Sequence, residues 1–474
     1  MTREGCYLAR LFICCSKQIQ GNSSCKKLLE IFLKSDSPKI TNRRITQIAI
    51  PMMLSNITVP LLGFVDTAVI GQLGQAELIA ALGLGSILIS ALYWLCGFLR
   101  MGTTGLAAQA KGADDSKEIC QILIRGLVLG AVLGFLVLLI AIPVFHVFFI
   151  VSPADALVEN HALAYVQIRI LSAPFAIANI TIIGWLIAME KAVRVFLIQL
   201  IVNVLNLSLN VIFVLVWDYG VEGIAYATLI SEVFGLFFSV IMCRGVLNFG
   251  SSLVLKGIFD YDKWANLFAL NLNIFLRSLL LEVVFLSFFF WGASFGTIVL
   301  AANQILIQFL HIFAYALDGF AFSAEVLVGV SYGRKSIVDL RESVLLCTKW
   351  AALTAICISL GFSFLGPILV ELMTTSNEVV AAAKKYLLWV TLAPLFSFAA
   401  YIMDGVFFGS THTSAMRKAM IMSTGFYFFT AVIFSNIYQN HGLWLSLSIF
   451  LLVRALTLFY YYPNIERSVS SIRY

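Results

Sequence analysis

The sequence predicts an all-α polytopic membrane protein of about twelve transmembrane helices, arranged as two six-helix lobes related by a pseudo-two-fold axis. Three observations carry this expectation: an apolar composition spread along the chain, alternation of charge between the apolar runs, and an internal match at constant offset.

Of the 474 residues, 61% are hydrophobic and only 12% are charged, and the mean hydropathy is +0.95. A soluble chain is about half apolar and roughly a quarter charged. A bilayer demands the composition found here, because backbone polarity is satisfied inside helices and side chains face lipid. Apolar runs fall at 45–71, 78–105, 119–149, 161–188, 194–217 and 222–243, and again at 264–291, 296–329, 342–370, 379–408, 418–436 and 441–462. Each reaches or approaches the ~20 residues a span needs, and the longer ones imply tilt.

The connections alternate in charge. Gly71–Glu77, Val151–Asn160, Trp217–Glu222, Gly292–Gly296, Glu371–Glu378 and Asn436–Gly442 contain no Lys or Arg. The intervening connections carry Lys111 and Lys117, Lys191 and Arg194, Arg244, Lys256 and Lys263, Arg334, Lys335 and Arg341, and Arg417 and Lys418. The positive-inside rule then places both termini in the cytoplasm. Lys384 and Lys385 are the exception. The net charge of +6 follows from this topology and gives no reason to expect a nucleic-acid partner.

The halves match at an offset of 221 residues: Gly71 with Gly292, Ala80 with Ala301, Ala81 with Ala302, Gly112 with Gly333, Tyr165 with Tyr386 and Gly184 with Gly405. One register held across several spans implies an internal repeat of six helices in parallel orientation. The expected organisation is a basic cytosolic tail (1–44), a first lobe (45–245), a cytoplasmic linker (246–263), a second lobe (264–463) and a short cytosolic tail (464–474).

No catalytic or metal centre is expected. The nine cysteines include no C-x-x-C pair, so packing is their expected role. Gly292-Ala293-Ser294-Phe295-Gly296 formally matches a nucleophile elbow, but it joins two membrane helices rather than a strand and a helix. No phosphate-binding loop and no histidine spacing suited to a metal occurs.

Ionisable groups at membrane depth are expensive and stand out as functional candidates. They are Asp66 in the first span, Arg277 and Glu282 in the seventh, Asp318 and Glu325 in the eighth, and Asp404 in the tenth. Arg100, Arg169, Glu190 and Arg454 lie nearer span ends, where long side chains can reach water. Asp66 follows Pro51 and Pro60, each of which removes a backbone donor and permits a bend. A carboxylate there without a fixed cation suits exchange of a proton; its alternative is a structural hydrogen bond to a neighbouring helix. Gln199, Asn203, Asn206 and Asn210 recur at helical spacing on one face of the fifth span, which either bonds a neighbouring helix or lines an aqueous cavity. Asp318 and Glu325 share a face, and Arg277 in the preceding helix is their expected ion-pair partner.

Two stretches resemble a known family: PLLGFVDTAVIGQLG (60–74) with GFLRMGTTGLAAQAKG (97–112), and LAANQILIQFLHIFAYALDGFAFSAEVLVG (300–329) preceded by Arg277-Ser278. They are similar to the multidrug and toxic compound extrusion (MATE) family, in its DinF-like branch, over about residues 45–460. The resemblance implies two lobes in a V and a secondary antiporter that exports amphipathic or cationic small molecules against protons or sodium. It needs no cofactor beyond the coupling ion, and is expected as a monomer whose partners are the small-molecule substrate and membrane lipid of the inner (plasma) membrane. It also implies that the family's aspartate of span one falls on Asp66, its arginine of span seven on Arg277, its acids of span eight on Asp318 and Glu325, and its aspartate of span ten on Asp404. Glu282 departs from the pattern and leaves the coupling ion open. Competing functions are a lipid-linked precursor flippase of the wider superfamily, opposed by the scarcity of central cations beyond Arg277, a major-facilitator carrier, opposed by the weakly charged 111–115 connection, and a non-transporting membrane scaffold.

Overall fold

A computed structural model of the chain describes residues 40–151, 155–244 and 258–471. The amino-terminal tail up to Lys39, with Cys6, Cys14, Cys15 and Cys25, lies outside the described residues, as does the linker up to residue 257.

Helices account for nearly all of the rest. In the first half they are α1 (Asn42–Gly71), α2 (Ala76–Leu95), α3 (Phe98–Gly112), α4 (Ser116–Val151), α5 (Ala156–Ile170), α6 (Ala173–Ala188), α7 (Ala192–Asn210) and α8 (Gly220–Arg244). In the second they are α9 (Tyr261–Ser294), α10 (Thr297–Gly333), α11 (Ile337–Met373), α12 (Asn377–Gly409), α13 (Thr413–Tyr438) and α14 (Asn440–Ser471). α2 and α3 together make the second span, and α5 and α6, bent by 53°, make the fourth. With that bent pair counted once, twelve segments among the described residues are long and apolar enough to cross a bilayer.

Local chemistry explains the ends. Thr41 caps α1 by accepting from the Arg44 amide at 3.3 Å, Asp260 caps α9, and Ser336 caps α11; each satisfies amides that a helix start leaves unpaired. Between α9 and α10 the backbone turns at Gly296 with φ 105, a conformation only glycine adopts without strain. The bend of the fourth span falls at Leu171 and Ser172, just before Pro174, which has no amide to continue the preceding helix. α1 instead runs unbroken through Pro51 and Pro60.

Two helices extend into stretches expected as tails. α1 takes in Arg43 and Arg44, because Arg44 donates to Glu190 at 2.7 and 2.6 Å. α14 continues to Ser471, held by Arg341 on Glu466 at 2.9 and 2.7 Å and by the Tyr332 hydroxyl on Ser468 at 3.2 Å.

The halves meet at one end of the bundle, the end with the basic connections. There the Ser323 hydroxyl donates to the Ile45 carbonyl at 3.2 Å, Gln109 donates to the Gly409 carbonyl at 2.8 Å, and Trp350 donates to Asn42 at 3.0 Å. Phe98 packs edge-on against Phe275, their centroids 5.8 Å apart. The offset of 221 reappears as reciprocal packing. A Cβ on Gly112 would strike the Val330 carbonyl, and one on Gly333 would strike the Gln109 carbonyl. Inside the lobes, Gly184 packs on the Arg100 carbonyl and Gly405 on the Ala321 carbonyl. These are equivalent contacts of a pseudo-two-fold pair, and small residues permit the backbone approach. Toward the opposite end the halves splay, leaving Gln304, Gln308 and His311 of α10 exposed. The described residues from 41 to 471 thus form two lobes in contact at the basic end.

Candidate functional site

The first-half site gathers on α1, α7 and α8 in the splayed part. Asp66 is 9% exposed. Asn210 donates through one amide to Asp66 Oδ1 at 2.6 Å and to Asn206 Oδ1 at 3.0 Å. Asn206 in turn donates to the Thr228 hydroxyl at 2.9 Å, and that hydroxyl donates to the Ile224 carbonyl at 2.9 Å. The bonds lead out from Asn210, to the Asp66 carboxylate on one side and through Asn206 and Thr228 to the α8 backbone on the other. Asn210 Oδ1 is buried without a partner, although buried polar atoms are nearly always bonded. The helix changes character at this point: Val211–Val216 is a π-helical turn, a distortion common where a helix carries function.

Such an arrangement suits a proton or one monovalent cation. It offers one acid and neutral oxygens, and the described residues contain no group of three or more His, Cys, Asp or Glu arranged to hold a metal ion. Arg169 lies within electrostatic reach of Asp66 but is committed elsewhere. It makes two 2.8 Å bonds to Glu232 and a 2.6 Å bond to Ser172, and sits 5.4 Å from the Tyr93 ring. Among the described residues, Asp66 therefore has no cation of its own.

Of the four amides expected on one face of the fifth span, the structure brings Asn206 and Asn210 to Asp66. Gln199 and Asn203 lie about two turns and one turn from Asn206 and do not join. Gln199 Oε1 is buried without a partner, and Asn203 is half-buried with no side-chain hydrogen bond among the described residues.

The second-half network differs from expectation. Arg277 pairs with Asp404, not with Asp318 or Glu325, and Arg454 pairs with the same Asp404 oxygen. Arg277 on α9, Asp404 on α12 and Arg454 on α14 converge because these helices pack around one core, a proximity that spacing along a single helix cannot reveal. Glu325 is bound instead by Arg100 of the first half at 3.3 Å. Asp318, half-buried, makes no direct bond among the described residues, yet couples electrostatically to Arg100, Arg277 and Arg454. Glu282 is half-buried and likewise unbonded.

The charges expected near span ends are thus mostly interior. Arg169 and Arg454 are 8% and 4% exposed, and both are paired. Glu232 and Thr228 went unmarked in the sequence. Glu232 shares the eighth helix with Ser231 and Ser239, and an acid in mid-span was the available signal; a lone threonine offered none. Arg125 of α4, 3% exposed, also pairs, with Glu118.

At the basic end, in the turn between α6 and α7, Glu190 accepts from Arg44 and, at 2.7 Å, from Lys111. Burial alone would raise its pKa, but the two cations outweigh burial and hold the carboxyl down at about 2.

Comparison with known proteins agrees with this architecture. The MatE family model matches residues 51–212 and 274–433, one match in each half. The chain is 34% identical over 421 residues to the DNA damage-inducible protein F of Escherichia coli, covering 88% of this chain and 91% of that protein. It is 21% identical over 373 residues to the probable multidrug resistance protein NorM of Halalkalibacterium halodurans, covering 76% and 80%. A crystal structure of a MATE protein in a bent conformation superposes with a TM-score of 0.80 at 20% identity, covering 90% and 96%. A fold of two repeated six-helix lobes, a family match in each lobe and a near full-length relative lead to one assignment: the chain belongs to the MatE family of multi-pass membrane transporters.

Proposed function

We propose that this protein is an inner-membrane antiporter that exports amphipathic or cationic small molecules in exchange for protons, with Asp66 as the coupling carboxylate. The observation that carries this is Asp66 itself: a buried acid at membrane depth, without a cation of its own, held on one oxygen by Asn210. Such a group can gain and lose a proton without breaking an ion pair. Orientation by the positive-inside rule puts the basic end in the cytoplasm, so the closed end faces inward and the cleft opens outward. A proton entering the cleft would reach Asp66 from outside, and alternation of the lobes would release it inside. The name of the relative NorM supports drug-like cargo.

Sodium is the second choice of coupling ion, favoured by the Asn210 oxygen, which is buried without a partner beside the carboxylate. The flippase alternative gains nothing from Arg100 and Arg454. With Arg277 they sit among Asp318, Glu325 and Asp404, so the centre holds as many acids as cations and offers no cationic cradle for a pyrophosphate.

Purified protein in proteoliposomes tests the proposal. A fluorescent lipophilic cation should move against its gradient when a pH gradient is imposed. Movement driven only by a sodium gradient would replace the proton, and movement under neither would remove the antiport function.

A further inference from the structure

We propose that Arg100 and Glu325 form a second, proton-sensitive site at the floor of the cleft, and that protonation of Glu325 unlatches the two lobes at their closed end. The proposal rests on the antiporter function above.

Glu325 is placed where the cleft ends. Gln304, Gln308, His311, Tyr315, Asp318 and Glu325 lie on one stripe of α10, at steps of three, four or seven residues. Along it exposure falls in order: the first three are exposed, Tyr315 and Asp318 half-buried, and Glu325 1% exposed. A polar path thus descends from the open end to this carboxylate. Immediately past it the lobes are in close contact: Gly329 packs on the Ala108 side chain, and Gly112 on the Val330 carbonyl.

The bond at this floor is the only ion pair between interior charges of the two lobes among the described residues. Arg100 lies in the first turn of α3, just after the break in the second span, and reaches Glu325 Oε2 at 3.3 Å, with its guanidinium 4.3 Å from the Phe322 ring. The contact uses one oxygen. Glu325 Oε1 is buried without a partner, so the carboxylate is half-satisfied. Contrast Arg169, buried inside one lobe and joined to the half-buried Glu232 by two 2.8 Å bonds. Taking a proton from cleft water would cost Glu325 one long charged bond and give Oε1 a hydrogen to donate. Arg100 would keep its charge and turn to Asp318, which already couples to both groups. A pair that binds in one protonation state and not in the other biases a two-state closure.

Neighbouring titratable groups are accounted for. Arg100 and Thr104 of α3 and Asp318 of α10 act on Glu325 directly. Asp404 of α12 is held by Arg277 and Arg454. α1 and α11 pack on α10 through Ala49 and Ser343, which do not titrate. His412, after α12, lies 5.8 Å from the Tyr332 ring further toward the basic end, and is the one histidine there among the described residues.

The test reads distance, not transport. Spin labels at Lys117→Cys and Val338→Cys, exposed positions at the basic end of each lobe, are placed in a protein whose native cysteines are replaced. Pulsed electron paramagnetic resonance in nanodiscs then follows the closed fraction between pH 8 and 5. One linked proton makes the closed-to-open ratio fall by up to about tenfold per pH unit. Made in an Asp66→Asn background, so that the coupling carboxylate does not contribute, Glu325→Gln should abolish that dependence, whereas His412→Gln should keep it. Arg100→Gln should hold the closed fraction at pH 8 at its wild-type pH 5 value, and it carries the test if Glu325→Gln does not purify. A wild-type profile in either variant, or its loss in His412→Gln, overturns the proposal. If wild type keeps the profile but moves no cation in proteoliposomes, the antiport function falls and the latch stands.

Discussion

Asp404 holds two arginines at once, and the consequences of removing it differ from those of removing either arginine. Arg277 and Arg454 are 5% and 4% exposed, and each has a buried Nε without a partner. Asp404→Asn keeps the shape and removes the charge, leaving two guanidiniums side by side in the core of the second lobe. Breaking a buried pair by deleting one partner costs about 3–5 kcal/mol, because the survivor stays buried and uncompensated. At roughly 2–4 °C per kcal/mol, a fall on the order of 10 °C in apparent unfolding midpoint is expected. Arg277→Gln leaves Asp404 with Arg454 and loses one charged hydrogen bond, about 1.5–3 kcal/mol. The double variant Asp404→Asn with Arg277→Gln should therefore be more stable than Asp404→Asn alone, a non-additivity diagnostic of shared contact. Thermal denaturation followed by size-exclusion chromatography in mild detergent gives the order. An Asp404→Asn protein as stable as wild type, or a double variant whose losses simply add, would refute the shared carboxylate.

Three further outcomes follow from the same contacts. Glu190, whose pKa is depressed from 4.5 to about 2, contributes ~3 kcal/mol that is full above its ordinary pKa and lost only as pH falls toward 2; Glu190→Gln should lower the unfolding midpoint equally at pH 8 and pH 5 and leave the pH profile of transport in place. Gly333→Val forces a side chain against the Gln109 carbonyl, so the basic ends should separate, read as a longer distance between labels at Lys117→Cys and Val338→Cys. Impermeant thiol reagents on intact cells should label Asp155→Cys and Glu378→Cys, both exposed, but not Lys117→Cys; the reverse pattern would invert the topology.

Much of this architecture was legible before any coordinates. The spans could be read because a bilayer imposes length and polarity locally, and charge alternation is a property of neighbouring residues. The repeat could be read because Gly112 and Gly333 answer the same demand, close approach of one helix to the other's carbonyls. Asp66 stood out as an acid where lipid surrounds the chain, and its amide partners as a periodic stripe. Partnership across the fold was not legible. Arg277 and Asp404 are 127 positions apart, and Arg100 and Glu325 are 225 apart. Nothing in the spacing of Asp318 and Glu325 says that the arginine meeting Glu325 comes from the other lobe. Position along a span also misled: Arg169 and Arg454 look able to reach water, yet a bend in the fourth span and the packing around Asp404 keep them inside. The charged networks do not obey the repeat, since the position equivalent to Asp66 at the same offset is Ser287. The halves share a scaffold and have diverged in chemistry.

The central claim is that Asp66 couples the ion gradient to export. A gradient does work only through a site whose protonation differs between the two access states, and an amide cannot supply that difference. The direct measurement is uphill export of a fluorescent cation by Asp66→Asn in proteoliposomes under an imposed pH gradient, beside wild type of equal yield and unfolding midpoint. Proton-driven accumulation should be abolished while substrate binding persists, and Asp66→Glu should recover part of it. Export by Asp66→Asn at the wild-type rate and with the wild-type pH dependence would contradict the account and move the coupling site to the acids of the second lobe.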